Sequence, residues 1–269
     1  MTSLRVASLQ PSITLTLQRL GRLDTLVACT RYCVEAVPEL RDAGLTIVAD
    51  SWSSTTEELR ETRPNLVLAS VPYREQTLAA ILRTGTPVVT LAPHTLADVL
   101  MDIRLLAAIV DARTAGEALC GEIEAGVASV RTAVAGLPRG RLYCEEWGKP
   151  PIHSQPWVAE LVEAAGGQFL GEPGKVTTLD AVQASEPDVL AFAWCGAGDR
   201  VPLRRVIEKR GWQALHAVQQ RRVYCIPDEF LNTPAHTLLE GLRAIAGILH
   251  PEVFPMHPRV IALGDSPIL

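Results

Sequence analysis

Short β-rich runs alternate with helix-like stretches along most of this chain. Residues 4–9 predict a first strand, and a helix that begins at Pro11 ends near Gly21. The alternation continues to residue 91 and resumes after residue 138. Strands that alternate with helices are typical of a parallel sheet covered by helices on both faces. The sequence therefore predicts an α/β fold.

A long helical pattern separates the two alternating regions. Residues 95–135 are rich in Ala, Leu, Ile and Glu and contain no proline. At 1.5 Å per residue one helix of this length would reach about 60 Å, which exceeds the width of one lobe. We therefore expect two Rossmann-like lobes with parallel sheets, joined by one long backbone helix. The predicted organisation is an N-terminal lobe over 1–93, the connecting helix over 94–137, a C-terminal lobe over 138–255 and a tail over 256–269.

Two segments of the chain have similar sequences. Residues 63–69 read Arg-Pro-Asn-Leu-Val-Leu-Ala, and residues 186–192 read Glu-Pro-Asp-Val-Leu-Ala-Phe. Each follows a predicted short helix and ends in a turn. This match predicts that the two lobes are built alike.

Composition and charge exclude several classes of partner. The net charge is −5 and no cluster of Lys and Arg stands out, so we expect no nucleic acid. No run approaches the roughly 18 apolar residues of a membrane span, so we expect no membrane insertion. The first residues lack the features of a secretory signal, which predicts a cytoplasmic protein, or a periplasmic or cell-surface one if a leader has been removed. The six cysteines include no C-x-x-C pair, so free thiols are expected.

Candidate site residues follow from one rule: ligands of parallel α/β sheets bind beyond the carboxyl ends of the strands. Three of the five tryptophans fall just after predicted strands, and an aromatic ring there can stack on a flat ligand. The ligand-binding residues that we predict are Tyr32, Cys33, Trp52, Tyr73, Glu146, Trp147, His153, Trp194, Cys195, Gly196, Glu229 and Phe230.

The cysteines leave more than one chemistry open. Cys33 and Cys195 are expected to face each other from opposite lobes, where they would bind a metal, contact a ligand without metal, or be inert. Glu145 and Glu146 are adjacent on an extended chain, so at most one faces the site. No Ser–His–Asp set, phosphate loop or H-E-x-x-H motif is recognisable, so no catalytic residue is predicted. The alternative hypothesis is a thiolate-dependent metal-binding or redox enzyme that uses the cysteines.

Several motifs, in order along the chain, resemble one protein family. They are residues 5–14, the strand start at 63–67, the helix at 157–167 and the Cys-Gly turn at 195–196. Together, over about residues 4–251, they resemble the helical-backbone (class III) substrate-binding proteins of ABC importers for vitamin B12, iron–siderophore and haem. The Cys-Gly turn is similar to that of a cobalamin-binding-like branch.

The resemblance implies a function and a partner. A monomeric binding protein would hold a corrinoid, an iron chelate or a haem-type ligand between its two lobes, and it would need no other cofactor. Members of this family are normally exported. Glu75 and Glu208 match positions at which family members present carboxylates to the importer permease.

Overall fold

The protein is described here from a computed structural model that covers residues 3–50, 56–72 and 74–265. The chain divides into two compact units, unit 1 from Met1 to Glu122 and unit 2 from Ile123 to Leu269. Each unit contains its own sheet and its own apolar core.

Unit 1 is built on a five-stranded, entirely parallel sheet. Its strands are β1 Val6–Ser8, β2 Leu26–Thr30, β3 Thr46–Val48, β4 Leu66–Ser70 and β5 Val88–Leu91, in the order β3-β2-β1-β4-β5. The helices are α1 Pro11–Arg19, α2 Arg31–Ala36, α3 Thr56–Thr62, α4 Glu75–Leu82, α5 Leu96–Ile109 and the first part of α6 Arg113–Ala133. The predicted parallel α/β architecture is confirmed for this unit.

Local sequence explains where several of these helices begin. Pro11 is the first residue of α1, a position where its missing N–H has no intrahelical partner to lose. Thr95 caps α5: its hydroxyl accepts the N–H of Asp98, and the Asp98 carboxylate accepts the N–H of Thr95 in return.

The single helix predicted over residues 95–135 is wrong, because two helices occupy this span. Asp111 adopts a left-handed conformation with φ of 55°, and the N–H of Ala112 bonds back to the Ala107 carbonyl. Aspartate tolerates this conformation better than most residues, so the chain turns without a glycine or proline to signal it. The turn ends α5, and α6 then starts at Arg113.

The first turns of α6 fold back along α5 as an antiparallel hairpin. Arg104 on α5 pairs with Glu117 on α6 at 3.1 Å. A Cβ atom on Gly116 would lie 2.4 Å from the Cβ of Ala107, so only glycine allows this close approach. The remaining helix, α6, is 21 residues long and continues from unit 1 into unit 2. A long helix therefore joins the two units as predicted, but with about half the expected length.

Unit 2 contains a six-stranded sheet in which the central strands are parallel. Its strands are β6 Arg141–Gly148, β7 Pro151–His153, β8 Gln168–Phe169, β9 Val189–Phe192, β10 Val223–Cys225 and β11 Ile261–Ala262, in the order β11-β10-β9-β6-β7 with β8 beside β6. Its own helices are α7 Pro156–Ala164, α8 Leu179–Ala184, α9 Leu203–Arg210, α10 His216–Gln219, α11 Asp228–Leu231 and α12 Leu238–Leu249.

The two edge strands of this sheet run antiparallel to their neighbours. Strand β7 returns beside β6 as a hairpin, and β11 pairs with β10. The segment expected to be only a tail over 256–269 therefore contributes a strand. Its two-residue length and the prolines before it gave no periodic signal.

The similarity between residues 63–69 and 186–192 extends to their hydrogen bonds. In unit 1 the N–H of Arg5 donates to the Asn65 side chain at 2.7 Å, and the N–H of Asn65 donates to the Arg5 carbonyl at 2.9 Å. In unit 2 Arg141 and Asp188 make the same two bonds at 2.8 and 2.9 Å. We call each pair a strand brace, since it ties the start of one central strand to the start of its neighbour.

The backbone ahead of each strand brace is also alike. Arg63 and Glu186 have φ of 48° and 43°, and each directly precedes a proline. The side chains of Arg5 and Arg141 donate to the carbonyls of these two residues at 3.0 and 3.3 Å. The prediction that the two halves are built alike holds at this level of detail.

In the described part of the chain, no helix is both long enough and apolar enough to cross a membrane.

Candidate ligand-binding site

At the carboxyl edge of the unit 1 sheet, Tyr32 is exposed in the first turn of helix α2, two residues after the end of strand β2. Thr30, the last residue of β2, caps helix α2 by accepting the N–H of Cys33 at 3.2 Å. This turn leaves 37% of Tyr32 accessible. The Arg31 guanidinium donates to the Tyr32 phenol oxygen at 2.7 Å and also lies over its ring. Unit 1 thus presents a phenol oxygen beside a positive charge at the sheet edge.

The structure places Cys33 in the interior instead of on an open surface of unit 1. Its side chain is fully buried, accepts from the Thr30 hydroxyl at 3.2 Å, and lies 3.8 Å from the Ser8 carbonyl. The cap that exposes Tyr32 turns the following residue toward strand β1. Nearby, burial raises the pKa of the Cys29 thiol to about 12, and a reactive thiolate is disfavoured there.

Two predicted site residues of unit 1, Trp52 and Tyr73, lie outside the described residues. Beside them along the chain, the carbonyl of Pro72 accepts the side-chain amide of Gln10 at 3.1 Å. This bond links the segments that follow β1 and β4 at the carboxyl edge of the sheet.

At the carboxyl edge of the unit 2 sheet, four polar side chains form what we call the edge cluster. Glu146 lies in β6, and its carboxylate accepts from the Gln155 amide at 2.7 Å and from the Cys195 thiol at 3.7 Å. Asn232 donates to the same thiol at 3.3 Å, while its own Oδ1 is buried with no hydrogen-bond partner among the described residues. The structure therefore brings the predicted residues Glu146 and Cys195 together.

Sequence reasoning missed Gln155 and Asn232. Both lie at helix boundaries, Gln155 directly before α7 and Asn232 directly after α11. A rule that selects residues by strand ends does not find them. The proline that starts α7 marks the preceding residue as a cap position, and this was the only local signal.

The electrostatics of the edge cluster keep its thiol neutral. Burial raises the pKa of the Glu146 carboxyl, although hydrogen bonds from Gln155 and Cys195 act in the opposite direction. Burial also raises the pKa of the Cys195 thiol, and the negative charges of Glu146 and Asp228 raise it further. These effects favour the protonated thiol of Cys195, which donates its hydrogen bond to Glu146.

One carboxylate holds the Cys-Gly turn at residues 195–196 in place through hydrogen bonds. The N–H groups of Gly196 and Gly198 both donate to Asp228 at 2.8 Å. Both glycines have positive φ, 76° and 61°, which suits a loop that curls around an acceptor. Burial raises the pKa of Asp228, and the two amide hydrogen bonds oppose that shift. Gly196, a predicted site residue, thus shapes the loop that presents Cys195.

Beneath the edge cluster, Glu145 anchors a buried polar network. Its carboxylate is fully buried and forms a two-point ion pair with Arg210 at 2.7 and 2.8 Å. It also accepts from the Tyr143 hydroxyl and from the indole N–H of Trp194, the latter at 2.8 Å. Glu145 and Glu146 therefore point opposite ways, as expected. Arg210 lies 65 residues away on α9, so the sequence gave no sign of this pairing.

The other predicted residues of unit 2 divide into exposed and interior ones. Trp147 is 45% exposed near the end of β6, where its indole N–H donates to the Lys149 carbonyl. His153 is buried instead, with its ring edge-on to Tyr143 and Phe169. Burial lowers the pKa of His153. His153 is an interior side chain because β7 folds back over β6.

The C-terminal segment covers two more predicted residues. Phe230 is buried against the His257 ring and beneath the Arg259 guanidinium. Glu229 forms an ion pair with Arg259. Neither contact was foreseen, because residues 256–269 were expected to form only a tail.

The two residues predicted to dock on a permease are both exposed. Glu75 is the first residue of α4 and Glu208 lies in α9. Their role stays a prediction. Within residues 3–50, 56–72 and 74–265, no group of three or more His, Cys, Asp or Glu side chains is placed to hold a metal ion. The alternative of a thiolate-bound metal centre finds no support in this part of the chain.

These features define a class of protein. Two similar α/β units are joined by a long helix, and each presents aromatic and polar side chains at the carboxyl edge of its sheet. This is the fold of substrate-binding proteins. The chain belongs to the periplasmic binding protein family, whose model matches residues 6–230. The resemblance stated from the sequence is confirmed.

Solved structures agree on the fold. The periplasmic haem-binding protein RhuT from Roseiflexus sp. RS-1 has a TM-score of 0.79 and 22% identity, covering 93% of this chain and 99% of its own. A periplasmic haem-binding protein from Pseudomonas aeruginosa has a TM-score of 0.82 and 18% identity, covering 98% and 99%. The vitamin B12-binding protein BtuF of Vibrio cholerae has a TM-score of 0.74 and 22% identity, covering 92% and 96%. A comparison with curated protein sequences gives no match.

Proposed function

We propose that this protein binds a metal tetrapyrrole, with ferric haem as the preferred ligand. The observation that carries the proposal is the exposed Tyr32 phenol with the Arg31 guanidinium 2.7 Å from its oxygen. A phenolate is an established ligand of haem iron. The adjacent positive charge stabilises the negative charge that the phenol oxygen carries when it binds ferric iron.

Unit 2, taken by itself, also presents groups suited to a planar ligand at its sheet edge. Trp147 and Trp194 offer aromatic surface to a planar ring system. The partly exposed Glu146 carboxylate offers a polar contact that would fix a ligand's orientation. The edge cluster, with Trp147 and Trp194, is therefore our candidate ligand-binding surface of unit 2.

Corrinoids and iron chelates are the other ligands considered. Relatives of known structure include a vitamin B12-binding protein and a protein described as part of an Fe³⁺-hydroxamate transport system from Saccharomonospora viridis. The neutral thiol of Cys195 and the raised thiol pKa values of Cys144 (about 12) and Cys225 (about 11) disfavour a thiolate-dependent enzyme. We propose that the protein is not an enzyme and needs no further cofactor.

The family supports a role outside the cytoplasm. We propose that the protein acts as a monomer on the periplasmic or cell-surface side and delivers its ligand to an ABC importer permease. Glu75 and Glu208 would contact that permease. Cell fractionation of the source organism tests the location, and charge reversal at both glutamates should abolish transport while leaving ligand affinity unchanged.

The binding proposal is tested by titrating the protein with hemin, cyanocobalamin and ferrichrome. We expect saturable binding of hemin with a shifted Soret band. Tyr32→Phe should weaken hemin binding by about tenfold or more and change the Soret spectrum, because the oxygen donor is lost. Tyr224→Phe is the matched control, since Tyr224 is buried in β10.

Two results would overturn this proposal. One is the absence of saturable hemin binding, and a response to cyanocobalamin or ferrichrome alone would then reassign the ligand. The other is a Tyr32→Phe variant with the affinity and spectrum of the unmodified protein.

A further inference from the structure

We infer that the buried ion pair of Glu145 and Arg210 is a positioning device for Trp194, and that it restricts this side chain to stacking contacts with a ligand. The inference rests on the proposed function, because it concerns how one wall of that binding surface is held. Glu145 and Arg210 themselves do not reach the ligand in this scheme and act through Trp194.

The first step is the degree of burial. The side chains of Glu145 and Arg210 are 0% and 8% exposed, and their two hydrogen bonds are 2.7 and 2.8 Å long. Removing two charges from water is costly, and apolar residues of similar volume often stabilise a fold equally well. Fold stability alone therefore does not explain why a charged pair occupies this position.

The second step is that the contacts around the pair converge on one ring. The indole N–H of Trp194 donates to Glu145 at 2.8 Å, and the Arg210 guanidinium carbon lies 5.9 Å from the ring centroid. Phe192 meets the ring edge-on at 6.2 Å. On another side, a Cβ atom on Gly148 would lie 2.6 Å from the ring. Trp194 is thus held by a hydrogen bond, a cation, an aromatic edge and a close backbone approach.

The third step is what remains available to a ligand. The indole N–H of Trp194 is already bonded to Glu145, so it cannot serve a ligand acceptor. Trp194 is partly exposed and is followed directly by Cys195 of the edge cluster. With its N–H group engaged, the ring has no hydrogen-bond donor left for a ligand, so any contact that it makes with one is apolar or aromatic, which favours a flat, delocalised ligand.

The experiment uses the full chain labelled with 5-fluorotryptophan. Trp194→Phe identifies the Trp194 fluorine resonance among the five tryptophans. Glu145→Gln keeps an acceptor for the indole but removes the charge, and Gly148→Ala displaces the ring without changing any charge. We expect both variants to shift or broaden the Trp194 resonance and to weaken hemin binding by about tenfold or more. Glu163→Gln, in an exposed ion pair with Arg139, should change neither.

The outcomes separate the two proposals. If the unmodified protein does not bind hemin, the proposed function fails, while the fluorine resonance still decides whether the ion pair positions the ring. If Glu145→Gln leaves the resonance in place, the inference is wrong. It is also wrong if the resonance moves but hemin affinity stays within about twofold, since the pair is then structural only. Glu145→Leu combined with Arg210→Met, which removes both charges, keeps the test decisive if Glu145→Gln does not fold, because an unmoved Trp194 resonance in it would contradict the inference.

Discussion

Replacing Gly116 with alanine should force helices α5 and α6 apart. The added Cβ would lie 2.4 Å from the Ala107 Cβ, whereas carbon atoms pack at about 3.5–4.0 Å. The helices must therefore separate by roughly 1 Å or more, and overpacking of this kind costs about 1–3 kcal/mol. This cost is partly offset, because alanine in a helix interior stabilises the fold by about 1 kcal/mol relative to glycine.

Gly121 in the same helix provides the matched control. Nothing lies within 4 Å of a Cβ atom at that position, so Gly121→Ala should gain about 1 kcal/mol without a clash. Both variants gain the same stabilisation from replacing a helical glycine with alanine. The difference between their free energies of unfolding therefore isolates the overpacking cost, and we expect about 1–3 kcal/mol.

Urea denaturation followed by far-UV circular dichroism measures both free energies. A third variant, Ala107→Gly combined with Gly116→Ala, moves the methyl group from one helix to the other. The next nearest atoms to the new Cβ, the Ile103 carbonyl oxygen and the Ala107 Cα, are 3.8 and 3.9 Å away, so the clash should disappear. Equal stabilisation by Gly116→Ala and Gly121→Ala would refute the reasoning, because it would mean that the two helices do not approach this closely.

Two further predictions concern buried charge. Glu145→Ala leaves the Arg210 guanidinium buried without its carboxylate and should cost about 3–5 kcal/mol in urea denaturation, against about 0–1 kcal/mol for Glu163→Ala in an exposed pair. Glu145→Leu with Arg210→Met should recover only part of that loss, because the Tyr143 hydroxyl and the Trp194 indole N–H still lack their acceptor. A double variant as unstable as Glu145→Ala would contradict this. Burial and then the charge of Asp98 raise the pKa of Asp102 from 3.8 to about 6, so the folded state gains stability from this group as pH falls through about 6 and loses it as pH rises. Asp102→Asn should therefore raise the melting temperature at pH 8 but not below about pH 4, and a difference that does not depend on pH would exclude this cause.

The architecture was predictable because it depends on local signals. Alternating apolar runs and helix starts such as Pro11 recur along the chain, and a parallel sheet follows from their order. The turn at Asp111 was not predictable in the same way. Nothing in the local sequence indicates that an aspartate adopts the left-handed conformation. The close packing at Gly116 is visible only once two helices are in contact.

The candidate site was predictable only in part, for a similar reason. The strand-end rule selected Tyr32, Glu146 and Cys195, which do lie at the sheet edges. The same rule also selected Cys33, although its side chain is buried. Partners that arrive from distant elements, such as Arg210 on α9, depend on tertiary packing and not on local pattern.

The strand brace connects a short sequence step to the adjacency of two strands. In both units an Asn or Asp that follows a proline bonds to the residue at the start of the neighbouring strand, and that residue is an arginine in both, Arg5 and Arg141. An amide and a carboxylate perform the task equally, because only an oxygen acceptor is needed. In this fold, an x-Pro-Asn/Asp step ahead of a buried strand therefore marks one end of a contact between two adjacent strands, far apart in sequence.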